Sequence, residues 1–361
     1  MAKLTVGLVY GGRSVEHEVS VASATSILGA LDPSRYDVAL IAIDRAGRWH
    51  LGGPGTLPEN VEQSEEVTLP AVAGQRELLS VQGGRKAMAL DVILPIVHGS
   101  GGEDGSLQGF LELVGLPYVG SGVLGSAVQM DKEITKRLLA AAGLPVVPGE
   151  LVRRDALARN EASEVERVLQ SLPLPLFVKP ACLGSSVGIS RVASREALAP
   201  ALREAARYDA KVLVEQAVAA REIEVAVLGN THPEASVPGE ILPTAAWYDY
   251  ESKYVDEGTE LRIPAPLSTA LAEELRAMAV TSFRVLEGAG LARVDFFVEH
   301  ESERIFMNEV NSLPGFTEVS MYPRLWAASG LPYPALLDRL IELALERGRA
   351  QQALERTYRR G

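Results

Sequence analysis

Three short apolar, β-rich runs, Leu4 to Tyr10, Val38 to Ile43 and Val92 to Val97, constrain this chain more than any other feature. A strand apolar on both faces must be covered on both, which is the pattern of a parallel sheet flanked by helices. The first run stops at Gly11-Gly12, and apolar residues then recur at helical spacing from Val15 to Leu31, giving strand, loop, helix. Leu107 to Val114 and Val123 to Ala142 also predict helices, so residues 1–120 read as an α/β domain. Gly47 to Lys86, with scattered Gly, Pro and Glu, reads as loops with a short β excursion.

The pattern then changes. Residues 121–218 give a helix ending at Gly143-Leu-Pro145, a helix near Ala162 to Leu172, and the strands Leu176 to Lys179 and Val212 to Glu215. Residues 219–346 give strands Ile223 to Leu228, Ala292 to Val298 and Ile305 to Val310, with helices Leu267 to Glu287 and Pro334 to Glu346. Both are α+β in pattern. Residues 347–361 form an Arg-rich polar tail, read as a frayed helix end. A chain of 361 residues accommodates these several cores. Its net charge of -12 argues against a general nucleic-acid coat or an anionic-membrane binder, since phosphate contacts need a basic face. No run reaches a membrane span, and Met1 to Tyr10 lacks a secretory h-region. The single cysteine, Cys182, excludes an intramolecular disulfide framework and a multi-cysteine zinc site. The expectation is a soluble protein in the reducing cytoplasm.

Residues able to do chemistry gather in six places. Strands Arg293-Val-Asp295-Phe-Phe297 and Asn308-Glu309-Val-Asn311 are joined by His300-Glu-Ser-Glu303. Alternation sets Arg293 and Asp295 on one face, and Glu309 and Asn311 on one face. A turn centred near Ser302 puts Asp295 opposite Glu309 and Arg293 opposite Asn311. Two carboxylates and an amide oxygen then converge, a set that suits magnesium; alone, it suits a salt-bridged strand face as well. Next, the strand ending at Lys179 leads into Gly184-Ser185-Ser186-Val-Gly188, whose backbone N–H groups can approach an anion. Alone, this reads as a phosphate flap or as an ordinary surface hairpin; it is not a Walker loop, because the lysine precedes the glycines. Lys132, after Gly120-Ser-Gly-Val-Leu-Gly125, is a second candidate phosphate partner. Trp247-Tyr-Asp-Tyr250-Glu-Ser-Lys253-Tyr254 reads as a lid or as an aromatic plug on a core. Gly11 to Glu18 and His98 to Gln108 lie beyond strand C-termini, where open α/β sheets bind ligands. Finally, Pro314-Gly315 breaks the chain after Asn311 and turns N–H groups toward the carboxylates.

Taken together and in this order, these segments resemble the D-alanyl-D-alanine ligases of the ATP-grasp superfamily over nearly the whole chain. The resemblance is carried by Glu16-His-Glu-Val-Ser20, His98-Gly with Gly102-Glu-Asp-Gly105, Met130-Asp-Lys132, Lys179-Pro with Gly184-Ser-Ser-Val-Gly188, Tyr248-Asp-Tyr-Glu-Ser-Lys-Tyr254, Arg293-Val-Asp295, and Asn308-Glu-Val-Asn311 with Pro314-Gly315. It implies a three-domain ATP-grasp architecture: an N-terminal parallel α/β (pre-ATP-grasp) domain over 1–120, a central subdomain over 121–218 and a C-terminal subdomain over 219–346. It also implies ATP between the last two, and a homodimer. Lys132, Lys179 and Lys253 would hold phosphates with Ser185 and Ser186. Glu215 and the hinge to Val218 would meet adenine beside Phe297, and Glu222 the ribose. Asp295, Glu309 and Asn311 would bind two magnesium ions, with manganese as an alternative. Glu16, Ser185 and Tyr254 would close the lid over D-alanine. Arg293 and the Gly315 N–H would hold the oxyanion, Ser320 the second carboxylate, and His98 would sit near the first substrate. Cys182, where relatives often carry Asn, is not expected to act as a nucleophile. Tyr254 favours an amine over a hydroxyl as second nucleophile, which leaves D-alanyl-D-lactate or D-alanyl-D-serine ligation, or a silent ATP-binding sensor, as alternatives. A dehydrogenase would need G-x-G-x-x-G after the first strand, and Gly7, Gly11 and Gly12 do not supply it.

Overall fold

The structure is a computed structural model that describes residues 3–53, 55, 57, 61–83, 86–184, 187–242 and 260–355. The described residues form three sheets. In the first, β1 (Leu4–Gly11) pairs in parallel with β2 (Tyr36–Ile43) and β7 (Val92–Pro95), with α1 (His17–Ala30) following β1. β1 is buried from Val6 onward, as its apolar sequence requires. The parallel sheet expected from sequence is confined to these three strands. Beyond β2 the sheet continues antiparallel through β3 (Trp49–Leu51), β4 (Glu65–Thr68), β5 (Glu77–Ser80) and β6 (Lys86–Ala89), so the expected β excursion is a four-strand extension.

After α2 (Ser106–Val114), the single helix predicted over Val123 to Ala142 is two helices, α3 (Val123–Met130) and α4 (Lys132–Ala141). Asp131 adopts an extended backbone between them and its carboxylate caps α4, accepting from the Glu133 and Ile134 N–H groups, each at 3.1 Å. The second sheet has the order β10-β9-β11-β8, from β8 (Gly149–Arg153), β9 (Leu176–Pro180), β10 (Ser190–Val192) and β11 (Lys211–Gln216). It is covered by α6 (Glu161–Ser171), reached through α5 (Arg154–Arg159), and by α7 (Arg195–Ala205).

The third sheet has the order β15-β14-β12-β16-β17, with β13 (Glu234–Ala235) beside β12 (Ala220–Gly229). Its other strands are β14 (Gly239–Leu242), β15 (Glu260–Arg262), β16 (Gly290–Glu299) and β17 (Ile305–Asn311). One face packs on α8 (Thr269–Val285); the other shares a core with β1, β7, α9 (Met321–Ala328) and α10 (Tyr333–Gln352). The Arg-rich segment read as a fraying tail from Arg347 instead continues α10 to Gln352. It does so because Arg347 is anchored: its guanidinium donates to Tyr118 O (3.1 Å) and Gly120 O and stacks 4.3 Å from the Tyr118 ring centroid. Among the described residues, no helix is long and apolar enough to cross a membrane.

Candidate active site

The β16–β17 register pairs Asp295 with Glu309 and Arg293 with Asn311, which is the pairing that alternation about Ser302 predicts. A bulge between Asp295 and Phe296 then skips Asn308, so Phe296 faces Met307. Arg293 grips Asp295 with Nε and Nη2, each at 2.7 Å, and its Nε lies 3.0 Å from Glu224 on the neighbouring β12. Burial opposes charge on Arg293, but Asp295 and Glu224 outweigh it and hold the guanidinium firmly protonated. Asn311 Nδ2 donates to Asp295 at 2.9 Å.

Facing this strand pair, Lys132 at the start of α4 reaches 2.8 Å to Leu183 O of the flap and 3.4 Å to Glu309. Glu215 and Lys179 stand diagonally across the β11–β9 pairing, and Glu215 is buried in ion pairs with both Lys179 and Lys136. Burial alone would neutralise Glu215; the two lysines overcome it and keep the carboxyl below its usual range. Burial likewise opposes the Lys179 charge, but Glu215 and Glu309 raise its pKa, whereas Lys136 is pulled by burial down to about 8. Both Glu215 oxygens are therefore engaged by lysines rather than turned to a base. Glu222 lies opposite Phe297 on β12 and β16, and Val218 is in the short link between β11 and β12.

On the first sheet, Glu16 is buried at the start of α1. A Cβ on Gly99 would lie 2.7 Å, and one on Gly184 3.1 Å, from Glu16 Oε2, so two loops approach this carboxylate closely. Gly99, at φ +76°, also occupies the backbone region that favours glycine. The His98 ring is fixed by two contacts, one of them carried on by Ser23. Its Nδ1 lies 3.1 Å from Leu313 O, its Nε2 3.3 Å from Ser23 Oγ, and that hydroxyl accepts from the Phe316 N–H at 3.3 Å. Leu313 O can only accept, which selects the tautomer with its proton on Nδ1 and makes Ser23 the donor to Nε2. Gly315 thus sits in a turn clamped from the first sheet. A Cβ on Gly315 would lie 3.0 Å from Ser320 Oγ, which accepts from the Thr317 N–H at 3.0 Å.

Chains with this layout have known counterparts. Residues 5–121 match the family described as D-ala D-ala ligase N-terminus, and residues 138–342 match D-ala D-ala ligase C-terminus. The chain belongs to the D-alanine–D-alanine ligase family. D-alanine–D-alanine ligase A of Escherichia coli (strain K12) is 48% identical over 367 residues, covering 99% of this chain and 100% of that protein. The solved D-alanine-D-alanine ligase from Coxiella burnetii superposes with a TM-score of 0.86 at 39% identity, over 98% of this chain and 97% of that one. The VanG D-Ala:D-Ser ligase from Enterococcus faecalis gives 0.85 at 32%, over 95% and 100%. The mixed α/β architecture of parallel and antiparallel sheets is the ATP-grasp fold of this ligase family.

Of the residues expected for such a ligase, Ser185, Ser186, Lys253 and Tyr254, with the rest of the proposed lid, lie outside the described residues. Sequence reasoning missed Lys136, Glu224 and Ser23. Lys136 had a signal, being four residues after Lys132 and hence on the same helix face. At Cys182 burial, then the charges of Asp209 and Asp131, push the thiol up to about 12. Among the described residues no three His, Cys, Asp or Glu side chains gather as a metal site. Asp295, Glu309 and Asn311 nonetheless share one face of this strand pair and offer two carboxylates and, once the Asn311 amide turns its oxygen where Nδ2 now donates to Asp295, an amide oxygen, a donor set that fits a hard divalent cation.

Proposed function

We propose that the chain joins two D-alanines into D-alanyl-D-alanine with ATP, releasing ADP and phosphate, as a step in making peptidoglycan precursor. The observation that carries this reading is the facing of Lys132, Lys179 and the Leu183–Gly184 turn against Asp295, Glu309 and Asn311, within a chain similar to these ligases from end to end. A free carboxylate is a poor acyl donor. The first D-alanine's carboxylate oxygen attacks the γ-phosphorus, which forms an acyl phosphate and expels ADP. The second D-alanine's neutral amine then attacks the acyl carbon, and phosphate leaves with the C–O bond electrons and takes up the proton the amine loses.

The residues divide this work. Lys132, Lys179 and Lys253 hold phosphates with Ser185 and Ser186. Glu222 takes the ribose, and the strand end at Glu215, the hinge at Val218 and Phe297 frame the adenine. Asp295, Glu309 and Asn311 would hold two magnesium ions, or manganese, which when bound would supply charge to neutralise the triphosphate. Glu16 pairs with the first ammonium and meets Ser185 and Tyr254 of the closing flap and lid. Arg293, already oriented by Asp295 and Glu224, and the Gly315 N–H stabilise the tetrahedral oxyanion. Ser320 takes the second carboxylate, and His98 borders the first substrate while its ring fixes the Gly315 turn. The enzyme works in the cytoplasm as a homodimer, with neither nucleic acid nor membrane as a partner.

The test is phosphate release with ATP, magnesium and D-alanine, with D-lactate or D-serine added in parallel, at about pH 6 and about pH 8. Dipeptide as the main product by mass at both supports the reading. Depsipeptide at the lower pH, or alanyl-serine throughout, would reassign the second substrate. No phosphate release with any D-amino acid would leave a silent nucleotide binder.

A further inference from the structure

The buried charges at the seam of the second and third sheets contain one lysine more than a salt bridge requires. Lys136 and Lys179 both pair with Glu215, and all three side chains are below 10% exposed. Lys136 Nζ also lies 3.4 Å from Met307 O on β17, two residues before Glu309. Met307 is itself tied to the second-sheet side, its N–H donating to Pro145 O at 2.8 Å. Glu309 adds its charge from β17, and Lys132 stands one turn earlier on α4. A single lysine would neutralise Glu215. The second leaves the Lys136–Glu215–Lys179 trio with one ammonium more than its carboxylate, set against the Glu309 charge beside the strands assigned to the nucleotide.

We propose that Lys136 is a positioning residue of the nucleotide site: it keeps Glu215 paired when Lys179 turns to a phosphate. This rests on the reading of the seam as an ATP site. Without Lys136, a phosphate and Glu215 compete for one ammonium, and any gain on the phosphate leaves a carboxylate buried and unpaired. With it, Lys179 can be shared. The role is distinct from that of Lys132, which contacts the flap and Glu309 directly.

The experiment compares wild type, Lys136→Met, Glu215→Gln and the double variant, measuring KM for ATP and kcat at saturating D-alanine, with magnesium AMP-PNP binding by calorimetry. Methionine preserves length and needs no buried partner. For Lys136→Met the expected result is a rise in KM for ATP, and in the AMP-PNP dissociation constant, of about tenfold to a hundredfold, with kcat within about threefold. In the Glu215→Gln background no carboxylate remains to be neutralised, so adding Lys136→Met should change KM by less than about threefold. That comparison decides the matter even if Lys136→Met alone does not fold, and a purely structural lysine would not show this rescue. If wild type turns over and Lys136→Met keeps its KM, or if the double variant loses about a further tenfold relative to Glu215→Gln, the proposal is overturned while the ATP reading stands. Wild type that neither binds AMP-PNP nor releases phosphate would overturn the ATP reading and this proposal with it.

Discussion

Arg293 shows how a single side chain can be committed before substrate arrives. It makes a two-point contact with Asp295 and a third with Glu224, so its guanidinium plane is set by protein groups. Lysine keeps the charge but cannot match both acids. Arg293→Lys is therefore expected to lower kcat by about a hundredfold or more while the protein stays folded, checked by phosphate release beside circular dichroism. Wild-type turnover would remove Arg293 from the oxyanion role. Glu309→Gln should abolish turnover and leave the far-ultraviolet spectrum unchanged; a near-normal rate would refute the metal assignment. The same-face pairing of Asp295 with Glu309 was legible because alternation and a short hairpin fix register locally. Glu224 was not. It reaches Arg293 through the pairing of β12 with β16, strands about seventy residues apart in the chain, and strand periodicity carries no information on which distant strand is the neighbour.

Elements followed the apolar periodicity closely where no residue interrupted it, as in β1, α2 and α6. The failures have local causes. α7 contains Pro200 in its interior, which makes it look broken in sequence, whereas Pro323 lies in the first turn of α9, where no intrahelical N–H is lost. The break between α3 and α4 was hidden because an aspartate can sit inside a helical pattern or cap a new one. Here it caps, and Lys211 Nζ holds its other oxygen at 2.6 Å. Asp131→Ala is expected to destabilise by about 1–2 kcal/mol and to raise KM for ATP by displacing Lys132; an unchanged urea midpoint would contradict the cap. The turn from β2 to β3 depends on Asp44, which accepts from the Ala46 and Arg48 N–H groups, Arg48 Nε and His50. Burial works against its charge, but Arg48 and His50 outweigh it and bring the carboxyl to about 2. Because that value lies below the unfolded one of 3.8, its stabilisation is complete above roughly pH 4 and fades as pH falls toward 2. Asp44→Asn should thus cost about 1–2 kcal/mol at neutral pH, with the gap to wild type narrowing between about pH 4 and about pH 2 in urea titrations. A gap constant across that range would contradict the assignment.

At the scale of the molecule, α10 couples regions that the sequence divides. Residues 1–120 and the C-terminal segment read as separate units, yet Leu336, Leu340 and Ile341 share one core with Val6, Leu94 and Ala226. Periodicity reports that a helix has an apolar stripe and does not report whose core receives it. The end of α10 was illegible for a related reason: an arginine-rich run looks solvated until a carbonyl pair and an aromatic ring receive it. Arg347 closes that end by donating to Tyr118 O and Gly120 O, the link between the first sheet and α3, and by stacking on Tyr118. Only glycine fits at position 348, because a Cβ there would come within 2.8 Å of Pro117. This contact ties the base of the first sheet to the helix whose start, through Tyr333, donates to Phe316 O at 2.6 Å beside Gly315. Loosening one end of α10 therefore bears on the turn at the other. Arg347→Met removes the donors while keeping much of the stem, and is expected to cost about 2–3 kcal/mol in urea unfolding, since two carbonyls lose charged partners. Arg349→Met, at an exposed position on the same helix, should change stability by no more than about 0.5 kcal/mol. Equal effects from the two substitutions would show that Arg347 acts by helix propensity alone. A selective loss at Arg347, with a fall in kcat that Arg349→Met does not share, would show that α10 transmits the position of the first sheet to the Gly315 turn.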